Sequence, residues 1–345
     1  MRQPDLAKDD AVQYPRSARF LPRIFKAIYQ EWWYFDFLDE VNDIQFTSTC
    51  SLNNPGGVPG GLPRGCDAVT LSIHGRETFV TPKGELMAAF SLAPARIDMG
   101  GRFAITIIDG HHVSFAGSDD GAGVSFDLVF SHRFPGLAPR RVPVGDRWFD
   151  VMKYYPVMPS AVVNGTFTIK GEPFNVAGAA GYHDHFLGSP TRVGWAPWVF
   201  INTPDFEILS VVVPSRRDFL LACVDGRTWV HCGRPSCSAV KTAAEPSNGF
   251  EYPSELAVGS RRRGWKVQFS MRETGAHATM DIGIENYKCP LIWGWNFKAT
   301  GTVHHRGNVV KSFSEVPAAM YYMTKLDLVE FDKQARLLDE KKAST

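Results

Sequence analysis

The residues best equipped for chemistry lie in one short stretch, Gly181-Tyr182-His183-Asp184-His185-Phe186-Leu187-Gly188. Two imidazoles and a carboxylate on consecutive positions can bind a metal, move a proton or knit a buried hydrogen-bond network. If Tyr182 to Phe186 is a strand, the two-residue side-chain period sends His183 and His185 to one face and Tyr182, Asp184 and Phe186 to the other. The His-x-His face offers two nitrogens to a metal, which needs a third ligand from elsewhere; Glu31, His111 and His304 are candidates that spacing does not tie to it. The Asp184 face offers different chemistry. In an aromatic pocket desolvation favours a protonated carboxyl, and such a group is a general acid toward an alkene or an allylic oxygen. The third reading is structural: polar groups buried at a junction must satisfy one another. Glu31 is open to the same readings, as a second acid or as the partner of a histidine.

Aromatic residues crowd the same part of the sequence and two others. Gly194-Trp195-Ala196-Pro197-Trp198 follows the motif, Glu31-Trp32-Trp33-Tyr34-Phe35 stands early, and Trp293-Gly294-Trp295 stands late. With Tyr155 and Tyr182 they supply the candidate lining of a ligand site: Trp33, Tyr34, Tyr155, Tyr182, Trp195, Trp198 and Trp293. His111-His112 and His304-His305 are adjacent pairs that a strand sends to opposite faces, which weakens them as joint ligands.

The elements that must position these groups are strands. Residues 1 to about 30 are polar, with Pro15 and Pro22, and read as a loop wrapping the first domain. Glu31 to Leu38 is apolar on both faces, which predicts a central or interface strand, and it reads as a hairpin with Ile44 to Leu52. The Gly- and Pro-rich run from Asn53 to Pro63 rules out a regular element and reads as a surface connection, with a lid as the alternative. From Ala68 to Phe134 short apolar runs are broken by turn residues every 8 to 12 positions, the pattern of an antiparallel sandwich or barrel. Residues 135 to 160 read as irregular, strands resume at Ala161, and a second series runs from Val199 to Phe331. With 345 residues, two domains are expected, residues 1–188 and 189–345.

Composition excludes other classes. With 37 Lys+Arg against 36 Asp+Glu there is no net field for nucleic acid or an anionic membrane, and Arg261-Arg262-Arg263 reads as a solvated loop. No strand, Gly-rich turn and helix occur in series, so neither a dinucleotide fold nor a phosphate loop is predicted. The six scattered cysteines read as reduced thiols, and no apolar run suits a signal peptide or a membrane span. These readings place the chain in the cytoplasm, without stable membrane insertion.

Glu31-Trp32-Trp33-Tyr34-Phe35, Gly181-Tyr182-His183-Asp184-His185 with Gly188, and Trp293-Gly294-Trp295 together resemble the landmarks of the hydroxyneurosporene synthase (carotenoid 1,2-hydratase) superfamily, which includes lipocalin-like Diels-Alderases and cyclases of natural-product pathways. The resemblance covers roughly residues 30 to 330; where the family often has Asn-Trp after the His-Asp-His unit, this chain has Phe186-Leu187. It implies an all-β protein of two lipocalin-like antiparallel barrels packed together, with a pocket at or near their junction, no metal and no cofactor. It further implies an enzyme acting on a small apolar polyene or prenylated substrate. The leading expectation is a cofactor-independent cyclase of the pericyclase type, with Asp184, Glu31, His183 and His185 as candidate catalytic groups. Holding reacting carbons in a near-attack geometry can lower a barrier by about 7 to 11 kcal/mol. The alternatives are an acid-catalysed alkene hydratase or terpenoid cyclase, and a non-catalytic carrier of an apolar metabolite.

Overall fold

The computed structural model describes Leu6, Asp10 and residues 29–53, 64–73, 76–80, 85–86, 90–93, 95–99, 101–121, 123–133, 142–144, 151–189, 198–203, 206–211, 219–224, 228–233, 236–244, 251–260, 264–280 and 292–323. Twenty-two strands account for almost all of them. The first thirteen are β1 (Gln30–Asp39), β2 (Ile44–Asn53), β3 (Arg64–Ile73), β4 (Arg76–Val80), β5 (Glu85–Leu86), β6 (Phe90–Ala93), β7 (Arg96–Met99), β8 (Phe103–Ile107), β9 (His112–Asp119), β10 (Val124–His132), β11 (Val142–Val144), β12 (Val151–Ile169) and β13 (Glu172–Ser189). The remaining nine are β14 (Trp198–Asn202), β15 (Phe206–Val211), β16 (Phe219–Val224), β17 (Thr228–Gly233), β18 (Ser236–Ala244), β19 (Glu251–Ser260), β20 (Trp265–Met280), β21 (Ile292–His305) and β22 (Asn308–Met323). The chain divides into two compact units, one of Met1–Val193 with Met280–Leu291 and Thr324–Thr345, the other of Gly194–Thr279 with Ile292–Met323.

Each unit carries one sheet, and both sheets follow the same path. The first runs β4-β3-β2-β1-β13-β12-β10-β9-β8-β7-β6, with β5 and β11 attached at its side. The second runs β17-β16-β15-β14-β22-β21-β20-β19-β18. In both, most strands pair with their neighbours in sequence, and the last strand returns to pair with the first. That is the strand order of an up-and-down barrel, the all-β architecture expected from the short, regularly interrupted apolar runs.

Smaller features repeat as well. The hairpin β12–β13 turns at Lys170-Gly171 and β21–β22 at Arg306-Gly307, all four with positive φ, as a two-residue type I′ turn requires. Lys170 donates its amide to the carbonyl of Gly123, and Arg306 does the same to Gly264. Five residues before each turn stands a glycine, Gly165 or Gly301, where a Cβ would run into the backbone carbonyl of Asp127 or of Gln268.

The first core is a cluster of rings. Phe35, Phe37, Phe46, Phe115, Phe126 and Phe167 make stacked and edge contacts with centroids 4.6–6.1 Å apart. Such pairs contribute about 0.5–1.5 kcal/mol each beyond the area they bury. Among the described residues the second core is mainly aliphatic and smaller, built on Val199, Ile201, Val258, Val267, Phe269 and Ala299.

Three expectations change. The lead-in is not polar surface throughout: Leu6 is fully buried in the core of the first sheet, and Asp10, whose amide donates to Leu6, is buried with it. The stretch 151–160, read as irregular because of its prolines, is the first half of β12. Register shifts at Tyr155/Met158 and Met158/Ala161 absorb Pro156 and Pro159, the positions at which a strand tolerates proline. Finally, β22 begins at Asn308, a start that the apolar runs of the second series do not mark. Its solvated face carries Ser312 and Ser314 opposite a buried Phe313, so it holds no continuous apolar run. The run from Asn54 to Pro63, Arg261-Arg262-Arg263 and the segment beyond Met323 lie outside the described residues.

Candidate functional site

The site is organised by one strand pair. β1 and β13 are antiparallel neighbours whose register sets Trp33 opposite His185, Tyr34 opposite Asp184, Phe35 opposite His183 and Asp36 opposite Tyr182. Paired residues share a face, so the strand alternation yields two distinct polar groups back to back. All eight residues are at most 7% exposed.

The inner face joins the ring cluster. His183 lies flat against Phe35, with centroids 4.0 Å apart, and His185 against Trp33 at 4.7 Å, with Tyr155 at 5.9 Å. His183 Nδ1 is 2.8 Å from the carbonyl of Tyr34, which can only accept, so this nitrogen carries a proton. Its Nε2 meets Asp10 Oδ2 at 2.9 Å. His185 Nε2 meets Glu31 Oε1 at 2.9 Å, and Tyr29 donates to Glu31 Oε2 at 3.2 Å. His185 Nδ1 is 4.0 Å from Asp10 Oδ1, and the Trp33 indole donates to the Asp10 carbonyl at 2.9 Å. A buried chain of two carboxylates and two imidazoles therefore pins the N-terminal segment to the last strand of the sheet. The two imidazoles engage the Tyr34 carbonyl, Asp10 and Glu31 at hydrogen-bond distance, and among the described residues no group of three His, Cys, Asp or Glu is placed to hold a metal ion. Glu31 takes the role of histidine partner.

The opposite face carries two tyrosine–aspartate pairs. Tyr182 donates to Asp184 Oδ2 at 2.6 Å, a short O–H···O bond. On β1, Tyr34 donates to Asp36 Oδ2 at 3.4 Å, and Thr47 from β2 to the same oxygen at 3.3 Å. The Tyr34 and Tyr182 rings are 6.0 Å apart, and Trp32 stacks on Phe186 at 3.8 Å. The result is a patch of two phenols, two carboxyls and two stacked rings on one face of one strand pair. A carboxyl set among phenols and rings can deliver a proton to an apolar substrate and take one back.

A histidine pair flanks the inner chain. Among the described residues His132 Nε2 and His111 Nδ1 have no hydrogen-bond partner, and their rings meet edge to face at 6.2 Å. Burial, and then the charges of His111 and His183, push His132 down to about 3, against an opposing pull from Asp10.

Of the residues singled out from sequence, Glu31, Trp33, Tyr34, Tyr155, Tyr182, His183, Asp184 and His185 all lie on this strand pair or on β12 beside it. Trp198 and Trp293 fall in β14 and β21 of the second unit, and Trp195 lies outside the described residues. Asp10, Tyr29 and Asp36 were missed. Asp36 had a readable signal, the same one that drew attention to Glu31: a carboxylate within a strand apolar on both faces.

No protein-family model matches the sequence, and no curated protein matches it. Solved structures do match its fold. A protein described as an AttH from Nitrosomonas europaea aligns with 92% of this chain and 97% of its own, at 14% identity and a TM-score of 0.60. Kievitone hydratase from Nectria haematococca aligns with 94% of this chain and 98% of its own, at 12% identity and a TM-score of 0.51. CghA aligns with 94% of both chains, at 14% identity and a TM-score of 0.53. The class defined is one of nearly all-β, lipocalin-like fold. At these identities the likeness is one of fold.

Proposed function

We propose that this chain is a cofactor-independent enzyme that protonates an apolar polyene or prenylated substrate at the Tyr182–Asp184 pair and so cyclises or hydrates it. The observation that carries this reading is the 2.6 Å bond from Tyr182 to a fully buried Asp184, beside the Trp32–Phe186 stack. Asp184 gives its proton to one alkene carbon, the π pair forming the new C–H bond. The cation left behind is held against aromatic faces. An internal alkene then closes a ring, with loss of a proton, or water adds and gives up its proton. That one of the similar folds belongs to a hydratase is in keeping with the second outcome.

A pericyclic cyclisation is the second reading. It is favoured by the stacked and tilted rings of Trp32, Phe186, Tyr34 and Tyr182, which can fold a polyene without a proton. The ring-filled core of the first barrel speaks against a carrier that holds its ligand there. Incubation with a panel of linear polyenes and prenylated phenols, read by mass spectrometry, separates the readings. A cyclase returns an isomer of unchanged mass and a hydratase adds the mass of water; return of every input unchanged contradicts both enzymatic readings.

A further inference from the structure

We propose that Asp36 is a second proton-handling carboxylate of the same site, the acceptor that completes the reaction begun at Asp184; this rests on the reading above. The register places Asp36 directly opposite Tyr182, and Tyr34 directly opposite Asp184. The two carboxyls thus lie on one face as diagonal neighbours, a relation that separates residues by about 7–8 Å. Each is tied to the tyrosine two residues away on its own strand, and Asp36 also receives Thr47. Two carboxyls buried in one patch resist ionising together, which suits one as acid and the other as base.

In hydration the sequence balances as follows. Asp184 loses its proton to an alkene carbon, and a lone pair of water forms the C–O bond at the cation. The Asp36 carboxylate takes the proton that the resulting oxonium releases. In cyclisation the same carboxylate takes the proton lost from the carbon beside the final cation. Exchange with water then moves the proton from Asp36 back to Asp184. The titratable groups around Asp184 among the described residues are Tyr34, Asp36 and Tyr182 on its own face, and His183, His185, Asp10 and Glu31 on the opposite face of the same strand pair.

The test needs no substrate. Infrared spectra of protein labelled with 13C-aspartate are followed through a pH titration for wild type, Asp184→Asn, Asp36→Asn and Thr47→Val. The expected result is one protonated-aspartate band that persists above the pH range in which ordinary aspartates ionise and that Asp184→Asn removes. In Asp36→Asn, which takes away the neighbouring negative charge, the midpoint of that band falls by on the order of one pH unit. Circular dichroism of each variant reports the fold, and Thr47→Val, which keeps both carboxylates, is expected to keep the band. A band whose midpoint is the same in Asp36→Asn and wild type overturns the proposal, as does a band untouched by Asp184→Asn. If the infrared result holds while no polyene is converted, the substrate reading has failed and the carboxylate pair stands.

Discussion

The two units share one strand order, the same basic-Gly turn and the same close-approach glycine, yet they fill the same strand pair with opposite chemistry. In the first, β1 and β13 hold Glu31, Asp36, His183, Asp184 and His185, all at most 4% exposed. In the second, the corresponding pair β14–β22 sets Val199 opposite Met320 and Ile201 opposite Ala318, with both β14 residues fully buried. Topology therefore does not require the polar set, because the second unit closes the same strand order with aliphatic packing. A feature the fold can do without, and which leaves Asp10 Oδ1 buried with no hydrogen-bond partner among the described residues, is a candidate for function.

The largest expected difference lies at Asp10. Asp10→Ala leaves His183 Nε2 buried without its carboxylate, a loss of about 3–5 kcal/mol in chemical denaturation. Ile201→Val in the second unit should lose only about 0.5–1.5 kcal/mol. Similar losses at the two sites would mean that the Asp10–His183 pair adds nothing beyond packing.

The close-approach glycines test the likeness of the units. Gly165→Ala and Gly301→Ala each push a methyl group into a neighbouring backbone carbonyl, so both should destabilise by about 1–3 kcal/mol. A loss at one position alone would show that the shared geometry does not bear on stability equally in the two units.

His132 gives an effect confined to acid. Its pKa is depressed in the folded state, so its neutral burial favours folding above about 6.5, and this contribution is lost as pH falls toward about 3. Over that range wild type should lose stability faster than His132→Gln by up to about 1.4 kcal/mol per pH unit. Parallel stability curves for the two proteins would place His132 in water.

Most of the architecture was legible in the sequence because strands with one buried face announce themselves by alternation and by turn residues. The motif was legible for a related reason. Alternation alone places His183 and His185 on one face and Asp184 on the other, and the structure puts different partners on the two. Asp10 was not legible, since it stands in the charged run Lys8-Asp9-Asp10 and nothing local marks one of the two aspartates for burial. The first half of β12 was hidden by Pro156 and Pro159, whose cost the bulges absorb only once β13 is alongside. Cross-strand register was the other missing quantity: Asp36 joins the site through its position opposite Tyr182, which the separate sequences of β1 and β13 do not contain.

The central claim, that the first unit's buried acid starts the reaction, is tested most directly by Asp184→Asn. With a converted substrate in hand, kcat/KM of Asp184→Asn is compared with wild type while circular dichroism and thermal melting report the fold. The account predicts a fall of more than about a hundredfold with the melting transition retained. Retention of most of the activity in a folded variant would contradict proton-initiated chemistry and leave pericyclic shaping of the substrate in its place.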